Sequence, residues 1–598
     1  MTHSNNPFHL PQRKQADAGS EVFLPKSFKF WIETLPAGDM KLMAQELHHQ
    51  LKVMNQYEMP AAGRLENLEL MLPPLLLVLD DLSGHPIPVP FPEDKRGRFA
   101  YRLDMSLFVL VIQAYKIILE EYHHESFAGH LIHRSKRNIA IHRVVYFLGR
   151  TLLHAFEYYQ PAPDSLWLEL HGLYHYAVSN HLDKTELDNE DHLLVDNLTV
   201  SDLYKQSVLL ALADPYQLKQ GEVSHVYVAL KQWAKCCRIE PVGADEISSG
   251  SFVVVLGMDM PPMRIVGDME GAAKAGWIIG ADEVIAQLID ELSVAQSQLG
   301  SERPQDAPES VSSNLLTRLM LTWGGGGRRV PDRIESQSDV AITFGLNALY
   351  AMFGGEDLPE LFVSGISVNT IKREEGGDVY HLEQDQFFVE GAPDLSKERE
   401  ESVPLVDELP QSDRITVENN GFVRNCMVLD ESSHGYRVGW IGKGDSGIRV
   451  GELIGVSHQL SELADQLQLC IVRWMRASKP GLLDFGIEIV DGVVEPVIIR
   501  MEEGGGNDFV SNRAFLQVGE EGVITLIMQP FYSLGSPRMV LVKEGMMCKI
   551  VLDRVIESTL SFIRFSYSEI GARSEDDLAM GPDGDEDLTG FDMLWKSI

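Results

Sequence analysis

At 598 residues the chain is too long for one hydrophobic core and should divide into roughly three to five domains. Its apolar (44%) and charged (23%) fractions are ordinary for a globular protein, but its formal net charge of −37 is not. That field repels polyanions, which argues against non-specific binding to nucleic acid or to an anionic membrane. An anionic ligand must therefore be held by a local cluster of cations.

Five cysteines, two of them adjacent (Cys236, Cys237), form neither a CxxC pair nor a zinc spacing, as expected of a reduced, cytoplasmic protein. The N-terminus lacks a basic-then-apolar leader pattern. The most apolar runs, 70–79 and 107–122, are too short for a membrane span or are interrupted by Lys116, and are expected as buried helix and loop.

From residue 28 to about 240 the pattern is helical. Apolar residues recur at helical spacing over 137–159, the segment QPAPDS (160–165) ends that run, and 166–182 begins a second helix with Ser165 or Asp164 as its cap. Two further helices follow between 200 and 237. The rhythm is that of tetratricopeptide-like hairpins, but no fixed period is present, and an irregular bundle serving as a scaffold stays open beside it. This region is rich in histidine. His171 and His175 stand at a spacing that could ligate a metal, though packing or capping accounts for them as well.

After residue 245 the texture changes. A strand at 251–258, an amphipathic helix at 281–296, a linker at 301–310 and a helix at 312–323 make a mixed connector over 246–323. Four glycines, Gly324–Gly327, then supply a helix end and a flexible joint. From Arg328 onward β signals dominate. Residues 339–344 alternate, with Val340, Ile342 and Phe344 on one face, and a polar insertion follows at about 354–414. Short strands then recur to about 494, as expected of an antiparallel barrel, and a further β domain spans 495–570. The chain closes in an acidic tail, 571–598, carrying Phe591, Leu594 and Trp595. The fold class is thus multidomain α+β, with a helical half followed by a β half.

The chemistry concentrates in the segment Asp430-Glu-Ser-Ser-His-Gly435, which sits between two apolar runs. Taken alone it is good turn chemistry, since Asp and Ser bond the local backbone and Gly tolerates positive φ. It also fits the pattern D-x-S-x-x-G. Neither Arg414 nor Arg424 has a partner at a spacing that would complete a site. Much further upstream, Arg329-Val-Pro-Asp-Arg333 gives R-x-x-x-R just ahead of the alternating strand. These two motifs, in this order and followed by strand-like segments, resemble the signatures of PilZ domains, small bacterial β-barrels that bind cyclic di-GMP. The resemblance covers about 328–353 and 415–492, with a gap between the motifs far longer than the family's. An insertion of that size is tolerable at a hairpin tip, because closure entropy grows only with the logarithm of length.

The resemblance implies a cyclic di-GMP receptor with no catalytic residues and no resident cofactor. Arg329 and Arg333 would pair with phosphates or guanine edges from a loop, as planar guanidinium forks do. Asp430 and Ser432 would present an acceptor and a hydroxyl to a guanine, and Gly435 would permit a tight or left-handed turn. Arg328 adds a third cation, which in the family accompanies binding of a stacked dinucleotide pair. A protein partner would be met through the helical domain or the acidic tail. Two other readings remain: an interaction scaffold whose barrel no longer binds nucleotide, and a metalloprotein using the helical histidines.

Overall fold

The computed structural model describes residues 10, 12–15, 22–83, 95–124, 127–187, 198–241, 251–265, 276–297, 311–324, 333–355, 423–442, 446–457, 467–479, 482–502, 509–519, 522–530, 539–543, 546–559 and 561–569. Its first half is helical: α1 (Pro25–Glu33), α2 (Met40–Asn55), α3 (Ala61–Ser83), α4 (Lys95–His123), α5 (Phe127–Ile132), α6 (Arg134–Glu157), α7 (Leu166–Ser179), α8 (Val200–Leu212) and α9 (Glu222–Cys236). The helices do not stack as repeated hairpins. Every residue of α6 from Arg137 to Gly149 is buried, so α6 is a central helix with neighbours all round, and the bundle is irregular. A helix buried on all faces must satisfy its polar side chains inside. Arg143 of α6 pairs with Glu69 of α3 at 2.8 Å, and the Tyr115 hydroxyl donates to the same carboxylate at 2.6 Å. Lys116, the charge that interrupts the apolar run of α4, pairs with Glu169 of α7 at 2.8 Å. Among the described residues no helix is long and apolar enough to cross a membrane.

The start of α7 departs from expectation. Ser165 occupies the cap position at φ 67° without capping through its side chain. The free backbone N–H groups of Ser165 and Leu168 instead donate to Asp259, at 2.6 and 3.1 Å. A carboxylate ninety residues away performs the job because the following sheet folds back onto this helix end. His171 is likewise structural, with Nδ1 2.8 Å from the Tyr204 hydroxyl and Nε2 3.0 Å from the Met260 carbonyl. No cluster able to hold a metal is present among the described residues.

One buried carboxylate in this half makes stability depend on pH. Asp104 of α4 is 1% exposed, faces His154 of α6 at 3.5 Å, and accepts no hydrogen bond from a described residue. Burial pushes its carboxyl up to about 7, against the pull of His154 and Arg150 and with the help of Glu157. The folded state therefore holds a proton that the unfolded chain releases near pH ~4. Stability should fall as pH rises across the window from there to about 7, then level off. Asp104→Asn should flatten that slope. Urea midpoints of parent and variant at pH 5 and pH 8 check this, and an unchanged slope in the variant contradicts it.

A small antiparallel sheet, order β1-β4-β2-β3, follows the helices: β1 (Arg238–Pro241), β2 (Phe252–Val254), β3 (Met263–Arg264) and β4 (Trp277–Gly280). β1 pairs with β4 from Arg238↔Gly280 to Pro241↔Trp277, so the sheet draws its first strand from ahead of the texture change at 245. Phe252, Val254 and Ile279 join the helical core, as do Val284 and Leu288 of α10 (Asp282–Ser297) and Leu315, Leu319 and Trp323 of α11 (Ser313–Trp323). The mixed segment thus packs as part of the helical half.

Two six-stranded closed antiparallel barrels make up the second half. The first comprises β6 (Asp339–Phe344), β7 (Val423–Ser432), β8 (Gly435–Ile441), β9 (Leu453–Ser457), β10 (Gln468–Lys479) and β11 (Leu482–Ile489), with the short β5 (Ile334–Glu335) added along β7. Val340, Ile342 and Phe344 point inward as their alternation predicts, meeting Val428, Val438 and Phe485. Beyond Gly355 the inserted segment expected at 354–414 lies outside the described residues, as does the acidic tail. The second barrel runs in the order β12-β13-β14-β17-β16-β15: β12 (Val493–Glu502), β13 (Phe509–Val518), β14 (Ile524–Met528), β15 (Met539–Lys543), β16 (Met546–Ser558) and β17 (Ile563–Glu569). Closure gives every strand of each barrel a hydrogen-bonded neighbour on both sides over part of its length. A short helix, α12 (Leu346–Met352), fills the space between them, its Leu349 and Tyr350 packing with Leu453, Phe515, Ile527 and Phe562.

The helical half is keyed into the first barrel at Tyr159, with Tyr216 packed against the same core. Tyr159, at φ 51°, places its ring in the barrel core, accepts from the Ala477 N–H at 2.9 Å through its carbonyl, and donates from its hydroxyl to the Leu218 carbonyl at 2.9 Å. A tyrosine held in the left-handed region costs free energy, on the order of 1–3 kcal/mol, that the barrel contacts must offset. Beside it Arg476 of β10 lies over the Tyr216 ring at 5.4 Å.

Candidate ligand site

The D-x-S-x-x-G segment is the end of β7, a two-residue turn and the start of β8: Ser432 pairs with Gly435 across Ser433 and His434. The alternation of β7, with Cys426 and Val428 inside, would send Asp430 into the apolar interior. A β-bulge prevents this. Val428 pairs with Val438 and Asp430 with Arg437, which leaves Leu429 as the extra residue. The extra residue flips the phase of the strand, and Asp430 comes out on the barrel surface. Ser432, two residues on, shares that face.

β5 then brings the upstream arginine motif to the same place. Ile334 and Glu335 pair with Glu431 and Asp430. Arg333, just ahead of β5, forms an ion pair through Nη1 with Asp430 Oδ1, across 97 residues of sequence. The structure therefore unites Arg333, Asp430, Ser432 and Gly435 in one site, while Arg328 and Arg329 lie outside the described residues. The Ser432 hydroxyl donates to the Gly435 carbonyl at 3.1 Å, which closes the turn.

Gly435 corrects the expectation of a left-handed turn. It is absent from the residues with positive φ and lies in ordinary extended backbone at the head of β8. What requires glycine is proximity: an added Cβ would stand 1.9 Å from the Ile487 carbonyl oxygen of β11. The strand pair Gly435↔Glu488 sits so close at this corner that no side chain fits.

Two further charges complete the site, and neither stands in the motifs. Arg437 of β8 reaches Asp430 Oδ2 with Nη1 at 3.8 Å and Asp484 of β11 with Nη2 at 2.8 Å. Its bond to Asp484 holds Arg437 further above the ordinary arginine value, so it is cationic at any physiological pH. The side chains of Asp430 and Asp484 are 16% and 6% exposed, against 42% for Arg437. A surface row thus runs Arg333, Asp430, Arg437, Asp484 across three strands. Period-two reading could have placed Arg437 on the face of Gly435 and Gly439, but only the bulge puts Asp430 there too.

Residues 26–244 match a family model described as "Cyclic-di-GMP receptor FimW, N-terminal domain", and residues 251–496 match "Cyclic-di-GMP receptor FimW, middle PilZ domain". The chain is 24% identical over 608 residues to the Pseudomonas aeruginosa protein named "Cyclic-di-GMP receptor FimW", with 96% of each covered. No solved structure matches. The second match contains both motifs and all the strands of the first barrel, and it supports the resemblance carried by Arg329-x-x-x-Arg333 and Asp430-x-Ser432-x-x-Gly435: residues 251–496 of the chain belong to the PilZ-domain family.

Proposed function

We propose that this chain is a non-catalytic cytoplasmic receptor for cyclic di-GMP that relays the level of the messenger to a partner protein. The observation that carries the reading is the contact of Arg333 with Asp430, which joins the two motifs at one corner of one barrel. Cyclic di-GMP offers two phosphates and two guanine edges. An arginine fork pairs with either, and a carboxylate accepts from guanine N–H groups. The four described charges of the row sum to zero, so attraction for a dianion within a chain of net charge −37 falls to Arg328 and Arg329. On binding, Arg333 exchanges Asp430 for the ligand, and Arg328 and Arg329 join it on the nucleotide. The consequence reaches the helical half through β10, where Ala477 and Arg476 hold Tyr159 and Tyr216. A partner then meets the helical half or the acidic tail.

Isothermal titration of the full chain tests this, with micromolar or tighter binding of cyclic di-GMP expected at low salt. The second reading, an interaction scaffold without nucleotide, draws on the same ion pair, since Asp430 already neutralises Arg333 in the free protein. Absence of heat at high micromolar nucleotide decides for the scaffold.

A further inference from the structure

The row of charges raises a question that the two motifs do not answer. When Arg333 leaves Asp430 for a phosphate, a mostly buried carboxylate is stranded beside an incoming anion. Like charges at such range oppose binding strongly, because the low local dielectric screens them poorly. Something must neutralise Asp430 at that moment, and its two oxygens already face different arginines. Oδ1 is held by Arg333, while Oδ2 lies 3.8 Å from Arg437 Nη1, just beyond hydrogen-bond range. We propose that Arg437 is the positioning residue of this site, taking over Asp430 when a ligand removes Arg333, with Asp484 as its fixed anchor.

The geometry supports each part. Arg437 cannot swing away to the ligand or to solvent without deserting Asp484, whose side chain is 6% exposed and 2.8 Å from Nη2. It is therefore a stationary cation, and only a small movement of the Asp430 side chain brings the second carboxylate oxygen within reach. Cross-strand register fixes the arrangement: Asp430 pairs with Arg437, and Asp484 pairs with Gly439, two residues along the same face of β8. The bulge at Leu429 is what brings Asp430 onto that face. Arg437 accordingly acts through Asp430 and makes no bond to the ligand itself.

This inference rests on the nucleotide reading for its ligand, but its first test needs none. In the free protein Arg333 and Arg437 back each other up on Asp430. Arg333→Gln and Arg437→Gln combined should lower the thermal midpoint by about 2 °C or more beyond the sum of the single effects. The cost of taking Arg437 away from Asp484 enters both legs of this cycle and cancels. If Arg437→Gln does not fold, the cycle is run with Asp484→Asn in all four proteins. The excess should vanish when Asp430→Asn is added, because a neutral amide needs no cation. In titrations with cyclic di-GMP, Arg437→Gln should weaken binding about tenfold in the parent and less than about twofold in Asp430→Asn, while Arg437→Lys retains most of the affinity. Strict additivity of the midpoints overturns the proposal whatever the ligand does. Equal loss of affinity in both backgrounds also overturns it, since that is the mark of a merely structural role. Coupled midpoints in a parent that binds no cyclic di-GMP would overturn the nucleotide reading and leave Arg437 as the partner of Asp430.

Discussion

Arg333→Ala is expected to weaken cyclic di-GMP binding by a hundredfold or more while leaving the thermal midpoint within about 2 °C of the parent. The two numbers have separate origins. An arginine fork on a phosphate or guanine makes charge-assisted hydrogen bonds, each worth roughly 1.5–3 kcal/mol, and a hundredfold loss is about 2.7 kcal/mol. The stability side is small because the pair with Asp430 is partly exposed, with 26% of the Arg333 side chain open to solvent. Pairs of that kind contribute roughly 0–1 kcal/mol. Asp430 also keeps Arg437 at 3.8 Å, so removal of Arg333 does not leave it alone. Arg329→Ala should behave in the same way if it shares the ligand. Isothermal titration and thermal unfolding on the same preparations read both quantities, and unaltered affinity would sink the assignment of Arg333 to the ligand. A variant that fails to fold would instead mean that the pair with Asp430 is structural.

How much of this was readable beforehand depends on the range of the interaction involved. Local periodicity gave good guidance: α6, α7, α8 and α9 fall where the helical spacing places them, and Val340, Ile342 and Phe344 face the barrel core. The two motifs were also legible, because each is a short run with fixed spacing. What could not be read is everything set by residues meeting from far away. The cap of α7 comes from Asp259, the barrel core is completed by Tyr159 of the helical half, and the site row needs Asp484 of β11. The bulge at Leu429 is the clearest case. Simple alternation through Cys426 and Val428 would bury Asp430, and only the mismatch in length between β7 and its partner β8 turns it outward. Gly435 does stand at a tight turn, but the left-handed alternative fails: turn chemistry is visible in sequence, and the approach of a second strand is not.

That last distinction makes Gly435→Ala the most destabilising single methyl to add at this site. The new Cβ would sit 1.9 Å from the Ile487 carbonyl oxygen and about 3 Å from the Ile487 carbonyl carbon and the Glu488 Cα. All three are backbone atoms, so no side chain can rotate away; β8 and β11 must separate at the corner where Gly435 pairs with Glu488. Forcing such a shift typically costs about 1–3 kcal/mol and can cost more, which for a barrel of this size lowers the midpoint by roughly 5–10 °C. The site should suffer with it, because the Gly435 carbonyl receives the Ser432 hydroxyl and the same strand carries Arg437. The signature is therefore opposite to that of Arg333→Ala: Gly435→Ala loses affinity and thermal stability together, and it recovers part of its binding at temperatures well below its midpoint. A variant with the parent's midpoint and no affinity would contradict the packing account. It would mean that Gly435 is required because the nucleotide itself comes against the backbone there.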